Sequence, residues 1–144
     1  MEKRFLHGVL SLFLIYMSVL FGLTAVALEW AIYALFYLGI VLAGSLLIVY
    51  FFCGKCPCRK NACGHVLPGK IACILPARKQ GKYSSGDLFI AGASIVGIIL
   101  SPQIFLLKYP SLLAAYWITL LLGLFEIRLF VCPGCDNKNC PGHS

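Results

Sequence analysis

Charge is what this sequence has least of. Only 12% of its 144 residues are charged and only 5 are acidic, whereas 60% are hydrophobic. Soluble domains carry about 25% charged and about 45–50% apolar residues, and a soluble protein this short has too little interior to bury so much apolar side chain. The composition therefore excludes a soluble globular protein and predicts an integral protein of the cell membrane.

The scarcity of acids also argues against most enzymes. The 5 carboxylates are scattered and form no pair for acid–base catalysis, and neither a catalytic triad nor a phosphate-binding loop is evident. Aromatic side chains are equally scarce in segment 53–86, where Tyr83 is the one ring available for stacking on a base. These absences argue against enzymatic activity, without excluding it, and against nucleic-acid binding.

Long apolar runs are what the sequence has instead. Each of four runs is near the ~20 residues that cross ~30 Å of hydrocarbon as a helix. Lipid offers no hydrogen-bond partner to a backbone N–H group, so each run is predicted to be an α-helix. The four runs cover residues 8–28, 31–52, 88–107 and 110–131.

The predicted fold is thus an all-α membrane protein with four transmembrane helices in two pairs. The first helix pair occupies residues 1–52 and the second occupies residues 87–131. A basic, Cys-rich loop at 53–86 separates the pairs, and a Cys-rich tail at 132–144 follows them.

The N-terminus allows a second interpretation. Lys3 and Arg4, the first apolar run and Ala25-Val26-Ala27 together match a secretory signal with its cleavage site. The run is longer than the ~7–15 residues of a signal core. We therefore predict a retained helix, with cleavage as the alternative.

Positive charge is concentrated between the two helix pairs. Segment 53–86 contains seven Lys or Arg residues and no acid, and Lys3 and Arg4 precede the first helix. With four membrane-spanning helices, Lys108 is the only cation that falls on the other side of the membrane from these residues. Cytoplasmic loops are enriched in Lys and Arg, so we expect both termini and segment 53–86 in the cytoplasm. The same charge is expected to attract anionic lipid headgroups, at roughly 1 kcal/mol per residue.

All 8 cysteines lie outside the apolar runs, at positions 53, 56, 58, 63, 73, 132, 135 and 140. Cytoplasmic thiols are kept reduced, so a disulfide framework is the weaker interpretation. Clustered C-x-x-C pairs in that compartment are typical of metal ligands or redox-active thiols.

Two cysteine clusters follow helix ends in a similar pattern. The loop reads C-x2-C-x6-C-x-H from Cys53, and the tail reads C-x2-C-x4-C-x2-H from Cys132. The chain can therefore be written as helix, helix, cysteine cluster, repeated once. Membrane proteins often contain parallel repeats of this kind, and we treat duplication as a hypothesis that superposition of the two helix pairs would test.

The clusters predict a thiolate-rich metal site, because a C-x-x-C pair can turn two sulfurs onto one tetrahedral ion. Two arrangements are open: one joint site that combines loop and tail, or a separate Cys3His site in each. Zinc is the first expectation and an iron–sulfur cluster the alternative. The candidate ligands are Cys53, Cys56, Cys58, Cys63, His65, Cys132, Cys135, Cys140 and His143.

Glu126 and Arg128 form a candidate charge site inside the last apolar run. Glu126 lies about five residues from the predicted cytoplasmic exit, or ~8 Å of helical rise, and we expect it to pair with a cation of the loop. A proton or ion path is the alternative, since intramembrane carboxylates are costly. Arg128 is expected to extend to the headgroups.

Three local features complete the predicted bundle. Ser101-Pro102-Gln103 should kink the third helix. Cys73 should pack as a small hydrophobe on a short surface helix. Close helix contacts are expected at small residues four apart, in the pairs Ser18/Gly22, Gly39/Ala43 and Ala93/Gly97.

The functional expectation follows from the metal site. A zinc site would make the protein a rigid docking or accessory subunit of a membrane complex, with a protein partner or a second copy of itself. An iron–sulfur cluster would make it an electron carrier at the membrane surface. Thiol exchange or metal handling is a third alternative.

Overall fold

The computed structural model describes residues 2–56, 66–76, 78, 81–133, 137 and 140, and this part of the chain is helical and contains no strand. The described part of the chain contains six α-helices: α1 Glu2–Glu29, α2 Ala31–Phe51, α3 Val66–Ile74, α4 Ser85–Leu100, α5 Gln103–Leu106 and α6 Pro110–Glu126. A 3₁₀ turn, Cys53–Lys55, follows α2, and a π-helical turn, Ile127–Val131, continues α6.

Within the described residues, four helical segments are long and apolar enough to cross a membrane: Arg4–Glu29, Ala31–Lys55, Ser85–Leu106 and Pro110–Val131. The predicted all-α fold with four membrane-length helices is confirmed to this extent, and the chain is built as a multi-pass membrane protein. Large apolar side chains cover its outer surface, with Leu35 65% and Phe36 66% exposed. Such a surface suits lipid, which is as apolar as these side chains.

Two helix pairs form the bundle: α1 packs along α6, and α2 packs along α4. Both pairs approach closely at a glycine. A Cβ atom at Gly123 would lie 2.9 Å from Ile15 Cγ1, and one at Gly44 would lie 2.8 Å from Ile98 Cδ1. These two glycines let the helix backbones come together where a larger side chain would hold them apart.

Of the three predicted small-residue pairs, one contributes to the interior. Ser18 and Gly22 are buried, and a Cβ atom at Gly22 would lie 3.0 Å from the Tyr37 hydroxyl. Gly39 and Gly97 are exposed, and among the described atoms nothing lies within 4 Å of a Cβ atom built there. The prediction was wrong for these two because spacing alone does not reveal which face of a helix is covered.

The two short connections between helices lie at the same end of the bundle. Lys108 Nζ is 2.6 Å from Glu29 Oε2, and the Tyr109 hydroxyl donates to Glu29 Oε1 at 3.1 Å. The α1–α2 corner therefore contacts the α5–α6 corner directly. This relative placement agrees with the predicted topology, whereas the assignment of the opposite end to the cytoplasm stays a prediction.

The predicted kink of the third membrane segment is confirmed. α4 ends at Leu100, and α5 restarts after Pro102, which has no N–H to donate. Side chains satisfy the carbonyls at the break: Ile98 O accepts from the Ser101 hydroxyl at 3.4 Å, while Ile99 O accepts from Gln103 Nε2 at 2.7 Å and from the Tyr116 hydroxyl at 3.3 Å. A break at this depth is tolerated because neighbouring side chains replace the missing backbone bonds.

The packing is compatible with an internal repeat. If α1 corresponds to α4 and α2 to α6, then the α1–α6 contact and the α4–α2 contact are equivalent. Duplication of a helix pair remains a hypothesis.

Candidate metal-binding site

The first C-x-x-C pair forms one tight turn at the end of α2. The Phe52 N–H donates to Ile48 O at 2.9 Å, and the Cys56 N–H donates to Cys53 O at 3.0 Å. Gly54 is buried inside the turn. The sequence Cys53-Gly-Lys-Cys56 therefore forms a compact turn directly after the membrane segment, which we call the knuckle.

Asp87 holds this knuckle to the start of α4. Its side chain, 3% exposed, accepts from Lys55 Nζ and, at 2.8 Å, from Arg78 Nη1. Asp87 and Ser84 also form a reciprocal capping box at the N-terminus of α4. One carboxylate thus joins the C-x-x-C turn, the returning end of the loop and the next membrane helix.

Arg78 is further fixed by two aromatic rings. Its guanidinium carbon lies 4.7 Å from the centre of the Phe51 ring and 5.3 Å from that of Tyr50. Such cation–π contacts favour a partly desolvated cation. Sequence reasoning assigned no role to Asp87, although a Ser-x-x-Asp capping box directly after a basic loop is a signal that could have found it.

The second C-x-x-C pair follows a change in helix type. α6 passes into the π-helical turn Ile127–Val131, and the Cys132 N–H donates to Ile127 O at 2.8 Å. The membrane segment ends at Val131, as predicted. Single π turns are common at functional sites because the extra residue per turn redirects the side chains that follow.

The loop and the tail meet at Asn137 and Tyr83. Asn137 is 2% exposed, and its Nδ2 donates to Cys56 Sγ at 3.5 Å and to the Tyr83 hydroxyl at 3.2 Å. The Tyr83 hydroxyl donates in turn to Phe52 O at 3.2 Å, and its ring stacks on that of Phe52 with centroids 4.8 Å apart. A tail side chain is thereby bonded to the first cysteine cluster.

Cys140 belongs to the same contact region. Its N–H donates to Asn137 O at 3.1 Å. Burial raises the pKa of the Tyr83 hydroxyl, and the nearby thiols of Cys56, Cys140 and Cys53 raise it further. The Tyr83 hydroxyl is therefore a neutral donor at physiological pH, with cysteines of both clusters around it.

Four of the nine predicted ligands are described: Cys53, Cys56, Cys132 and Cys140. Within the described part of the chain, no group of three or more Cys, His, Asp or Glu side chains is placed to hold a metal ion. The remaining five predicted ligands lie outside the described residues: Cys58, Cys63, His65, Cys135 and His143.

Glu126 has a partner that the sequence interpretation did not name. Its Oε2 lies 2.7 Å from His7 Nδ1, and the His7 ring stacks on Phe130 with centroids 4.2 Å apart. The pairing with a loop cation is replaced by a contact between α1 and α6, because the packing of these two helices brings residue 7 beside residue 126. Arg128, in the π turn, is exposed, and its extension to the headgroups stays a prediction.

The short helix predicted around Cys73 is present as α3, whereas its placement on the membrane surface and the packing of Cys73 there stay predictions. Gly69 and Ala72 form the buried face of α3, whereas Cys73 and Ile74 are exposed. The small residues lie on the protein side because they allow the helix to approach the bundle, and this turns Cys73 outward.

Within the part of the chain that the structure describes, two cations of the basic loop form ion pairs with the protein itself. Lys55 and Arg78 are committed to Asp87, whereas Lys70 and Lys82 are exposed. The contact of the loop with anionic headgroups stays a prediction.

Comparisons with models of protein families, with curated proteins and with solved structures find no match to this chain.

Proposed function

We propose that this protein binds a metal ion at one joint site made by the loop and the tail, and that the site forms a rigid docking surface for a partner in a membrane complex. The contact of Asn137 with Cys56 and Tyr83 carries the proposal, because it joins the tail to the loop's C-x-x-C turn. Two separate sites would not require a residue of the tail to contact the C-x-x-C turn of the loop. In this proposal both termini and both cysteine clusters face the cytoplasm.

Zinc is the metal proposed, with thiolates of Cys53 and Cys56 from the loop and of Cys132, Cys135 or Cys140 from the tail as ligands. The tight turn from Cys53 to Cys56, closed by the Cys56 N–H to Cys53 O hydrogen bond, supports this proposal, and structural zinc sites are closed by four protein ligands. Such a site contributes directly to folding free energy. It would fix the loop and the tail as one surface on which a protein partner, or a second copy of the chain, can dock.

An iron–sulfur cluster is the second candidate. The observation that favours it is the amide N–H directed at Cys56 Sγ, since hydrogen bonds to ligand sulfurs help to set the reduction potential of such clusters. The protein would then carry electrons at the membrane surface. Thiol exchange by the C-x-x-C pairs remains the third alternative.

Metal stoichiometry in matched cysteine variants tests the joint site. Full-length protein is purified anaerobically in mild detergent and analysed for zinc, iron and acid-labile sulfide, together with its visible spectrum. We expect one zinc per chain in the wild type and none in either Cys53→Ser/Cys56→Ser or Cys132→Ser/Cys140→Ser. Cys73→Ser is the control and should keep the metal, because the exposed Cys73 lies outside both clusters.

The alternatives give different results. Two metals per chain, with one retained in each double variant, would show separate sites. Iron with sulfide and a brown chromophore would select the electron carrier, and a wild type without metal would refute metal binding altogether. The docking role is tested by the mass of the native assembly in mild detergent, which should fall when the metal is removed.

A further inference from the structure

We infer that Asn137 is a positioning residue of this site, whose amide orients the Cys56 thiolate and makes metal affinity depend on the tail. The inference rests on the proposed function. Asn137 is not a ligand in this account and acts through the sulfur to which it donates. Its Nδ2 lies 3.5 Å from Cys56 Sγ and 3.2 Å from the Tyr83 hydroxyl, within a residue that is 2% exposed.

The chemistry of the neighbours fixes which way the amide points. The Tyr83 hydroxyl proton is given to Phe52 O, so this oxygen receives a hydrogen bond from Asn137. A Cys56 thiolate has lone pairs and no proton, so it too can only accept. Both contacts therefore require the NH₂ group of Asn137, and its two protons match the two acceptors.

The cation next to Cys56 in sequence is engaged elsewhere, so a neutral group donates the hydrogen bond to the Cys56 sulfur. Lys55 is adjacent to Cys56 in sequence, but its ammonium group is bound to the buried Asp87. The donor supplied to the Cys56 sulfur is the Asn137 amide instead. The contact restricts the direction in which the Cys56 sulfur can face a metal ion, and orientation of a ligand is what an outer-shell hydrogen bond supplies.

The position of Asn137 also explains how the tail is held. The Cys140 N–H donates to Asn137 O, so the residue that contacts Cys56 also fixes the backbone of a tail cysteine. Tyr83 stacks on Phe52 at the end of α2, which anchors the other side of the amide. Outer-shell partners of metal ligands typically contribute about 10–100-fold to affinity, and we expect that range here.

The test replaces Asn137 in the full-length protein. Asn137→Leu keeps the approximate size and removes both donors, Asn137→Gln restores an amide, and Tyr83→Phe removes one acceptor but keeps the ring. Cobalt(II) is titrated into the metal-free protein in detergent, with zinc in competition, and the sulfur-to-cobalt charge-transfer band is recorded. The control is Tyr109→Phe, which deletes a hydroxyl bonded to Glu29 at the other end of the bundle.

For Asn137→Leu we expect unchanged stoichiometry, dissociation constants about 10–100-fold higher and a shifted charge-transfer band. Asn137→Gln should recover part of the affinity, Tyr83→Phe should show a smaller loss, and Tyr109→Phe should show none. Should Asn137→Leu fail to fold, Tyr83→Phe still decides, because wild-type affinity and band position in that variant would overturn the inference.

The failure of this inference is distinct from the failure of the proposed function. A wild type that binds no metal refutes the site itself. A wild type that binds metal, with Asn137→Leu equal to it in affinity and in band position, leaves the site and overturns the role of Asn137. A merely structural role would change thermal stability without moving the charge-transfer band.

Discussion

The close approach of α1 and α6 at Gly123 gives a sharp test of the fold. In Gly123→Ala, the new Cβ atom would lie 2.9 Å from Ile15 Cγ1 and 3.2 Å from Ser11 O. Favourable contacts between carbon atoms lie at about 3.5–4.0 Å. One of the obstacles is backbone, so a side-chain rotation alone does not relieve the overlap and the two helices must move apart.

The free-energy cost of this overlap can be separated from the change in helix propensity by making the same substitution at a glycine that has open space around it. Gly97 also lies within a membrane helix, but among the described atoms nothing is within 4 Å of a Cβ atom there. Both Gly→Ala changes gain helix propensity, about 1 kcal/mol, whereas Gly123→Ala alone incurs overpacking, typically about 1–3 kcal/mol. The propensity term cancels between the variants. Gly123→Ala should therefore be less stable than Gly97→Ala by about 1–3 kcal/mol.

Unfolding in mixed micelles measures this difference. Each variant is titrated with sodium dodecyl sulfate in dodecyl maltoside, and the tryptophan fluorescence of Trp30 and Trp117 reports the transition. If Gly123→Ala is as stable as Gly97→Ala, α1 and α6 are not in the close contact described. A further consequence is local: separation of these helices should also weaken the contact between His7 and Glu126.

Two other predictions concern the charged groups at the loop. Asp87→Asn should lower the melting temperature more than Glu29→Gln does. The reason is that Asp87 is buried with two cations, whereas Lys108, the partner of Glu29, is 58% exposed. Thermal unfolding in detergent measures both effects, and equal effects would contradict the structure. Lys70→Met and Lys82→Met should each weaken binding of detergent-solubilised protein to vesicles rich in anionic lipid. Arg78→Met should weaken it less, since Arg78 is already paired with Asp87; the reverse order would refute the assignment of headgroup contacts.

The membrane fold was predictable because its cause is local. An apolar run of the right length must be a helix in lipid whatever its neighbours are. The predicted second and fourth runs, 31–52 and 110–131, agree closely with the membrane-length segments found, Ala31–Lys55 and Pro110–Val131. The break at Pro102 was predictable for the same reason, because proline removes a backbone donor wherever it stands.

The contacts of the site were not predictable, because they depend on which helices become neighbours. Asn137 meets Cys56 across 81 positions of sequence, and His7 meets Glu126 across 119. No spacing rule reaches over such distances. The same limit explains the error at Gly39 and the missed importance of Gly123: both are glycines in apolar helices, and only the packing separates them.

The arrangement of the bundle gives a physical reason for one joint site. α1 with α6 and α2 with α4 are the two extensive packing pairs, so the bundle is built from two halves that each combine one helix from either half of the sequence. At one end, Glu29 joins the α1–α2 corner to Lys108 and Tyr109 of the opposite corner. At the other end, the cysteine clusters follow α2 and α6, which belong to different halves. A metal bound by both clusters would therefore cross-link the two halves at the end opposite Glu29, whereas two separate sites would each stabilise a single chain segment and add no cross-link between the halves.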